Sequence, residues 1–152
     1  PPGALCSMRH TPAPQPVALQ KLAGLRILLA EDHQVNAGLM IEALEHLGAE
    51  VSHALDGEAV CRSVIMEGSV FDVILMDCQM PNMDGFEATR RIRAWEGKHG
   101  RRPMPIIAMT GLSHEFEHAH SSQAGMSHYL VKPVQINPLA AAILVLVPPV
   151  TA

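Results

Sequence analysis

Between positions 25 and 147, short apolar runs alternate with longer stretches in which apolar residues recur at helical spacing. Residues 25–30 form the first run, which ends on Glu31-Asp32. Val35, Leu39, Met40, Leu44 and Leu47 then mark the packing face of a helix that Gly48 stops. Residues 50–55 read as a second, weaker strand. Asp56 follows as N-cap of a helix carrying Ala59, Val60, Val64 and Ile65, closed by Gly68. The run Val73-Ile74-Leu75-Met76 stops on a carboxylate, Asp77, and a turn with Pro81 and Asn82 follows. Asp84 caps the next helix, with Phe86, Thr89 and Ile92 on one face and Gly97 beyond its end. Residues 104–109 are a fourth strand ending on Thr110-Gly111, and residues 113–124 a helix closed by Gly125. Residues 128–131 are a fifth strand ending on Lys132-Pro133. Asn137-Pro138 opens the last helix, since proline suits the first helical position, and Pro148-Pro149 ends it.

Short apolar runs bounded by turn residues are the mark of strands buried on both faces. Strands alternating with helices predict one α/β domain with a parallel sheet covered on both sides. Right-handed crossovers place every strand's carboxyl end on the same edge. The chemistry of this chain is therefore expected where the strands stop.

Length and composition narrow this picture without changing it. At 152 residues the chain suits one domain, and 48% hydrophobic with 17% charged residues is a globular composition. Residues 1–24 hold Pro1, Pro2, Pro12, Pro14 and Pro16 and read as a linker, with Leu19 and Leu22 able to pack locally. Residues 25–147 are the domain and 148–152 a tail. A start at proline without an initiator Met points to a fragment of a longer protein. A formal charge of −4 gives no general pull toward nucleic acid or anionic lipid. Cys6, Cys61 and Cys78 form no CxxC pair or even framework, which fits a reducing cytosol. No apolar run reaches the length of a membrane span, and the N-terminus lacks a signal-peptide pattern.

The strand ends carry Glu31 and Asp32, then Asp77, then Thr110 with Gly111, then Lys132. Three carboxylates gathered at one edge call for a cation, and all-oxygen ligands suit Mg²⁺ better than Zn²⁺. A lysine and a threonine hydroxyl beside Mg²⁺ are the parts needed to hold the oxygens of a phosphoryl group, and a carboxylate nucleophile gives an acyl phosphate.

These motifs together, Ile27-Leu28-Leu29-Ala30-Glu31-Asp32, Met76-Asp77-Cys78-Gln79-Met80-Pro81 with Met83-Asp84-Gly85, Ala108-Met109-Thr110-Gly111 and Tyr129-Leu130-Val131-Lys132-Pro133, resemble the receiver domain of two-component response regulators. The resemblance covers roughly residues 25–147. It implies the flavodoxin-like (βα)5 fold, a doubly wound parallel sheet in the order 2-1-3-4-5. It also implies that Asp77 is phosphorylated from a phosphohistidine of a histidine kinase or phosphotransfer domain. Asp32 matches the direct Mg²⁺ ligand and Glu31 the partner that acts through water, while the Gln79 backbone carbonyl completes the protein's share of the metal shell. Lys132 pairs with the phosphoryl oxygens, across a Lys132-Pro133 bond often cis in the family. Thr110 swings to the phosphoryl group, and Tyr129 matches the aromatic switch. Such a domain is a switch that carries out its own phosphoryl transfer more than an enzyme. The wording Glu31-Asp32-His33-Gln34-Val35-Asn36 is most similar to receivers attached to hybrid sensor histidine kinases, which makes the expected setting cytoplasmic, as part of a membrane-bound kinase.

Some features fall outside that pattern. His114, His118 and His120 lie on one predicted helix, with His114 and His118 four apart, and read first as solvated or locally bonded histidines. The basic cluster Arg90, Arg91, Arg93, Lys98, Arg101 and Arg102 reads as a solvated helix end, since Trp95 is its lone aromatic and nucleic-acid binding wants more. The last helix has no charge between residues 139 and 147, so its outer face is a candidate contact with a second copy or another domain. A constitutive interaction module of the same fold, with phosphorylation vestigial, is the alternative function. A flavin binder or a phosphohydrolase is disfavoured, because no Gly-rich loop follows the first strand and no P-loop is present.

Overall fold

A computed structural model describes residues 21–111 and 114–147, with residues 114–118 described by their backbone alone. The proline-rich start through residue 20, including Leu19, and Pro148-Pro149 lie outside the described residues. The elements are β1 (Arg26–Ala30), α1 (Gln34–His46), β2 (Glu50–Ala54), α2 (Gly57–Cys61) continuing as a π-helical turn (Arg62–Met66), β3 (Val73–Asp77), α3 (Gly85–His99), β4 (Ile106–Thr110), α4 (His114–Ala124), β5 (His128–Val131) and α5 (Ile136–Leu146). All neighbouring strands pair in parallel, in the order β2-β1-β3-β4-β5, as expected.

Successive side chains of a strand point to opposite faces, and here both faces are covered. Ile27 and Leu29 of β1, Val73 and Leu75 of β3, and Ile107 and Met109 of β4 join one core with Ala37 and Leu44 of α1 and Leu139, Ala142 and Ile143 of α5. Leu28, Ala30, Ile74, Met76 and Ile106 join the other core with Val60, Val64, Ala88 and Ile92. That double burial is why the three central strands are uninterrupted apolar runs while β2, at the edge, is mostly exposed. Packing begins before β1: Leu22 is fully buried and its N–H donates to the Leu47 carbonyl.

Several helix expectations are corrected. On α1, Met40, Leu44 and Leu47 pack inward, but Val35 and Leu39 are 77% and 64% exposed. The helix carries two apolar stripes, and the one containing Ala37 faces the sheet because a small residue permits close approach. α3 runs past Gly97 to His99 and stops at Gly100, whose φ of 63° supplies the left-handed cap. α5 begins at Ile136 with Gln135 as N-cap, so Pro138 is its third residue. Proline is tolerated there because the N–H it lacks has no partner within a helix's first turn. The uncharged α5 is largely buried through Leu139, Ala140, Ala142 and Ile143, leaving Ala141 exposed and Val145 at 81%. The basic cluster is mostly engaged: Arg90 and Arg91 pair with Glu87, Arg93 with buried Glu96, and the Arg101 guanidinium lies 4.6 Å from the centre of the Trp95 ring.

Candidate functional site: a carboxylate cluster at the sheet edge

Asp77 ends a strand buried along its whole length and is itself 2% exposed. Polar oxygens so buried need hydrogen-bonded partners. Asp77 Oδ1 accepts the Gln79 N–H at 3.0 Å, and Oδ2 accepts from Lys132 Nζ at 2.7 Å. The lysine follows β5, where its N–H donates to the Thr110 carbonyl at 2.7 Å, and the Lys132–Pro133 bond is cis.

Glu31 follows β1 and is also 2% exposed. Its Oε1 accepts the His33 N–H at 3.2 Å, and its Oε2 lies 3.6 Å from Lys132 Nζ. Its backbone is held by β2, the N–H by the Ala54 carbonyl and the carbonyl by His53 Nε2 at 2.7 Å. Burial, and then the Asp77 charge, raise the Glu31 pKa above its ordinary value, against the pull of the His33 N–H and Lys132. Burial opposes the Lys132 ammonium, but the Asp77 hydrogen bond and the charges of Asp77 and Glu31 outweigh it and raise its pKa.

The turn after Asp77 is built by neighbours. Asn82 takes a left-handed φ of 66°, and its amide donates to Asp56 Oδ2 at 2.9 Å while Asp56 Oδ1 caps Ala59. These two hydrogen bonds hold the Asp56 carboxyl below the usual range. A side chain at Gly85 would collide with the Asp77 backbone carbonyl, so glycine is what lets α3 start against the end of β3.

Thr110 is buried beside Asp77 on the adjoining strand, and its hydroxyl donates to the Leu130 carbonyl at a long 3.4 Å. Tyr129 is half-buried on β5, its ring 6.1 Å from that of His128. Glu31, Asp77 and Lys132 are thus in direct contact, while the Thr110 hydroxyl is turned to the Leu130 carbonyl. The side chains of His114 and His118 lie outside the described residues; His120 packs its ring 5.5 Å from Phe86.

The donor set fits a hard divalent cation. Asp32 Oδ1 is buried and, among the described residues, has no hydrogen-bond partner. An orphaned carboxylate oxygen beside the Glu31 carboxylate is what a bound cation would satisfy. Glu31, Asp32 and His33 each offer a ligand atom, all within 4.8 Å of one another. A cavity of about 610 Å³ opens from Glu31 and Lys132 between α1 and α5, lined also by Leu39, Met40, Val134 and Ile136.

The model of the response regulator receiver domain matches residues 27–144. The chain belongs to this family. Among curated relatives, the sensor protein GacS of Pseudomonas syringae pv. syringae is 40% identical over 119 residues, covering 78% of this chain; the chain spans 13% of that protein's length. Among solved structures, the receiver domain of the sensor histidine kinase PA1611 from Pseudomonas aeruginosa PAO1, which has a magnesium ion coordinated in its active-site cleft, is 38% identical. It superposes with a TM-score of 0.73 over 84% of this chain and 100% of that one. The receiver domain of Saccharomyces cerevisiae Ssk1, crystallised with the histidine phosphotransfer protein Ypd1, is 25% identical with a TM-score of 0.72, covering 79% of this chain and 86% of that one.

The receiver reading places the acidic pair, Asp77, Thr110 and Lys132 at one edge, where they stand. What the residue order did not disclose is the part played by His33, by His53 on the Glu31 carbonyl and by Asn82 on Asp56. Each depends on where a neighbouring strand end or turn arrives. No described helix is long and apolar enough to cross a membrane.

Proposed function

We propose that Asp77 of this receiver domain accepts a phosphoryl group from a phosphohistidine of a histidine kinase or a histidine phosphotransfer domain, with Mg²⁺ bound at the carboxylate cluster. The observation that carries this reading is Lys132 Nζ at 2.7 Å from Asp77 Oδ2, with the orphaned Asp32 Oδ1 in the same cluster. An Asp77 oxygen attacks phosphorus, the P–N bond breaks, and the imidazole leaves to take up a proton. When bound, the cation neutralises charge on the transferring oxygens. Asp32, Asp77 and the Gln79 carbonyl would hold it directly, and Glu31 through water.

Lys132 would pass from the Asp77 carboxylate to a phosphoryl oxygen. Thr110 would turn to another, giving up a 3.4 Å bond that is weak at that length. Tyr129 would follow inward behind the threonine, which makes β4, β5 and α4 the surface that reports phosphorylation. The intact set of charged groups argues against a constitutive module in which phosphorylation is vestigial.

Relatives that are sensor histidine kinases support reading this chain as the receiver of a hybrid sensor kinase, with a cytoplasmic setting as part of that proposal. Contact through α5 with a second copy or a neighbouring domain would use Val145 and Ala141. The test is phosphotransfer from a phosphohistidine donor to the chain. Label should reach wild type in Mg²⁺ and fail to reach Asp77→Asn or the Mg²⁺-free protein. Undiminished labelling of Asp77→Asn would remove Asp77 from the role. Tyr129→Ala should keep the label but lose the beryllofluoride-induced NMR shifts in β5.

A further inference from the structure

His33 is the N-cap of α1, with φ −81° and ψ 106°, yet its side chain makes no capping bond. Helix N-caps favour Ser, Thr, Asp or Asn, because a short side-chain oxygen can reach the first free N–H groups. An imidazole here leaves that work undone. The ring is exposed, and one of its nitrogens lies within 4.8 Å of a carboxylate oxygen of both Glu31 and Asp32. The residue's backbone is pinned to the same cluster, its N–H on Glu31 Oε1 at 3.2 Å. The buried, unpartnered Asp32 Oδ1 belongs to the residue just before it. The ring thus stands at the open side of a cluster whose buried side is all oxygen.

We propose that His33 is a specificity-determining ligand of this site, supplying an imidazole nitrogen to the cation. The inference rests on the reading of the cluster as a cation site and goes beyond it. An all-oxygen set takes Mg²⁺ because Mg²⁺ is hard and keeps its water. One nitrogen in the set changes the order of preference. Imidazole suits Ni²⁺, Cu²⁺ and Zn²⁺, and affinity for N/O sites rises from Mn²⁺ through Ni²⁺ to Cu²⁺, while an imidazole adds little for Mg²⁺. This receiver would therefore bind transition metals more tightly, relative to Mg²⁺, than its carboxylates alone provide.

The test uses the tag-free 152-residue chain and His33→Asn, Asp32→Asn and wild-type proteins, titrated calorimetrically with Mg²⁺ and Ni²⁺. Mn²⁺-loaded samples are examined by electron spin-echo for nitrogen coupling. Thermal unfolding without metal checks that each variant is folded. Expected are a nitrogen signal in wild type that His33→Asn removes, and a fall in Ni²⁺ affinity of about tenfold, the size seen when a residue supporting a metal site is lost. Mg²⁺ affinity should change by less than about twofold in the same variant. A nitrogen signal absent from wild type or retained in His33→Asn overturns the proposal, as does an equal fall for both metals. Failure of the underlying reading looks different: wild type would bind neither metal, or Asp32→Asn would bind both unchanged.

Discussion

Lys132 Nζ and Asp77 Oδ2 meet at 2.7 Å across a separation of 55 residues, and each is the polar end of a different strand of the sheet. The contact exists because β3 and β5 flank β4 and stop at the same edge. It gives a 2%-exposed carboxylate a charge-assisted hydrogen bond and places an ammonium where a transferred phosphoryl group would need one.

Replacing that lysine tests both roles. Lys132→Met leaves the Asp77 and Glu31 carboxylates side by side without their ammonium. Stability should fall by about 2 kcal/mol, less than for a fully buried pair because the ammonium is only half-buried. Urea unfolding in Mg²⁺-free buffer measures this, and added Mg²⁺ should recover part of the loss. An unchanged midpoint would mean that the pair contributes nothing to the fold.

Glu31 gives a pH-dependent expectation with a definite sign. Its folded pKa lies above the ordinary 4.5, so the folded state holds this proton better than the unfolded state does. The contribution favours folding below pH 4.5 and is lost as pH rises through the folded value. At pH 7 without metal the ionised Glu31 opposes the fold. Glu31→Gln should therefore raise the melting temperature at pH 7 and flatten its dependence on pH above 4.5. Mg²⁺ should stabilise wild type more than the variant. Calorimetric scans over pH, with and without Mg²⁺, decide the matter, and a lower melting temperature for Glu31→Gln at pH 7 would contradict it.

Gly85→Ala forces a methyl group against the Asp77 carbonyl and the Met76 side chain. Backbone cannot give way as a flexible side chain can, so the cost should be about 2 kcal/mol. The shift of the Asp77 backbone should also slow its phosphorylation, readable with a small-molecule phosphodonor. A variant as stable and as reactive as wild type would show that the start of α3 has slack.

Arg93 ties three elements together. It pairs with buried Glu96 at 2.8 Å and donates to the Gly125 and Met104 carbonyls, both at 2.8 Å. Arg93→Ala leaves Glu96 buried with a lost partner and should cost about 3 kcal/mol. The double variant with Glu96→Ala should cost less than the sum of the singles by about 1 kcal/mol or more, as coupled neighbours do. Additive denaturation energies would disprove the coupling.

The order of strands and helices, the buried runs and the residues that end them were legible in the chain by itself. They follow from local physics: an apolar run of strand length, a capping carboxylate, a glycine that can turn left-handed. The receiver reading could be drawn from five such ends in order. Tertiary structure decided what local periodicity leaves open. α1 carries two apolar stripes, and packing against the sheet selects the one with Ala37, turning Val35 and Leu39 outward. Gly97 and Gly100 both could end α3, and the backbone at Gly100 settles the choice. No charge on α5 marks which face is outer, and packing buries the one with Leu139 and Ile143 while Ala141 and Val145 stay exposed. Above all, nothing in the residue order says that Lys132 reaches Asp77, that Asp32 keeps an unsatisfied oxygen, or that His33 turns its ring toward Glu31 and Asp32. The first is a distance between the ends of two strands, definite only when the sheet brings its edge together, and the others depend on how the turn after β1 settles there.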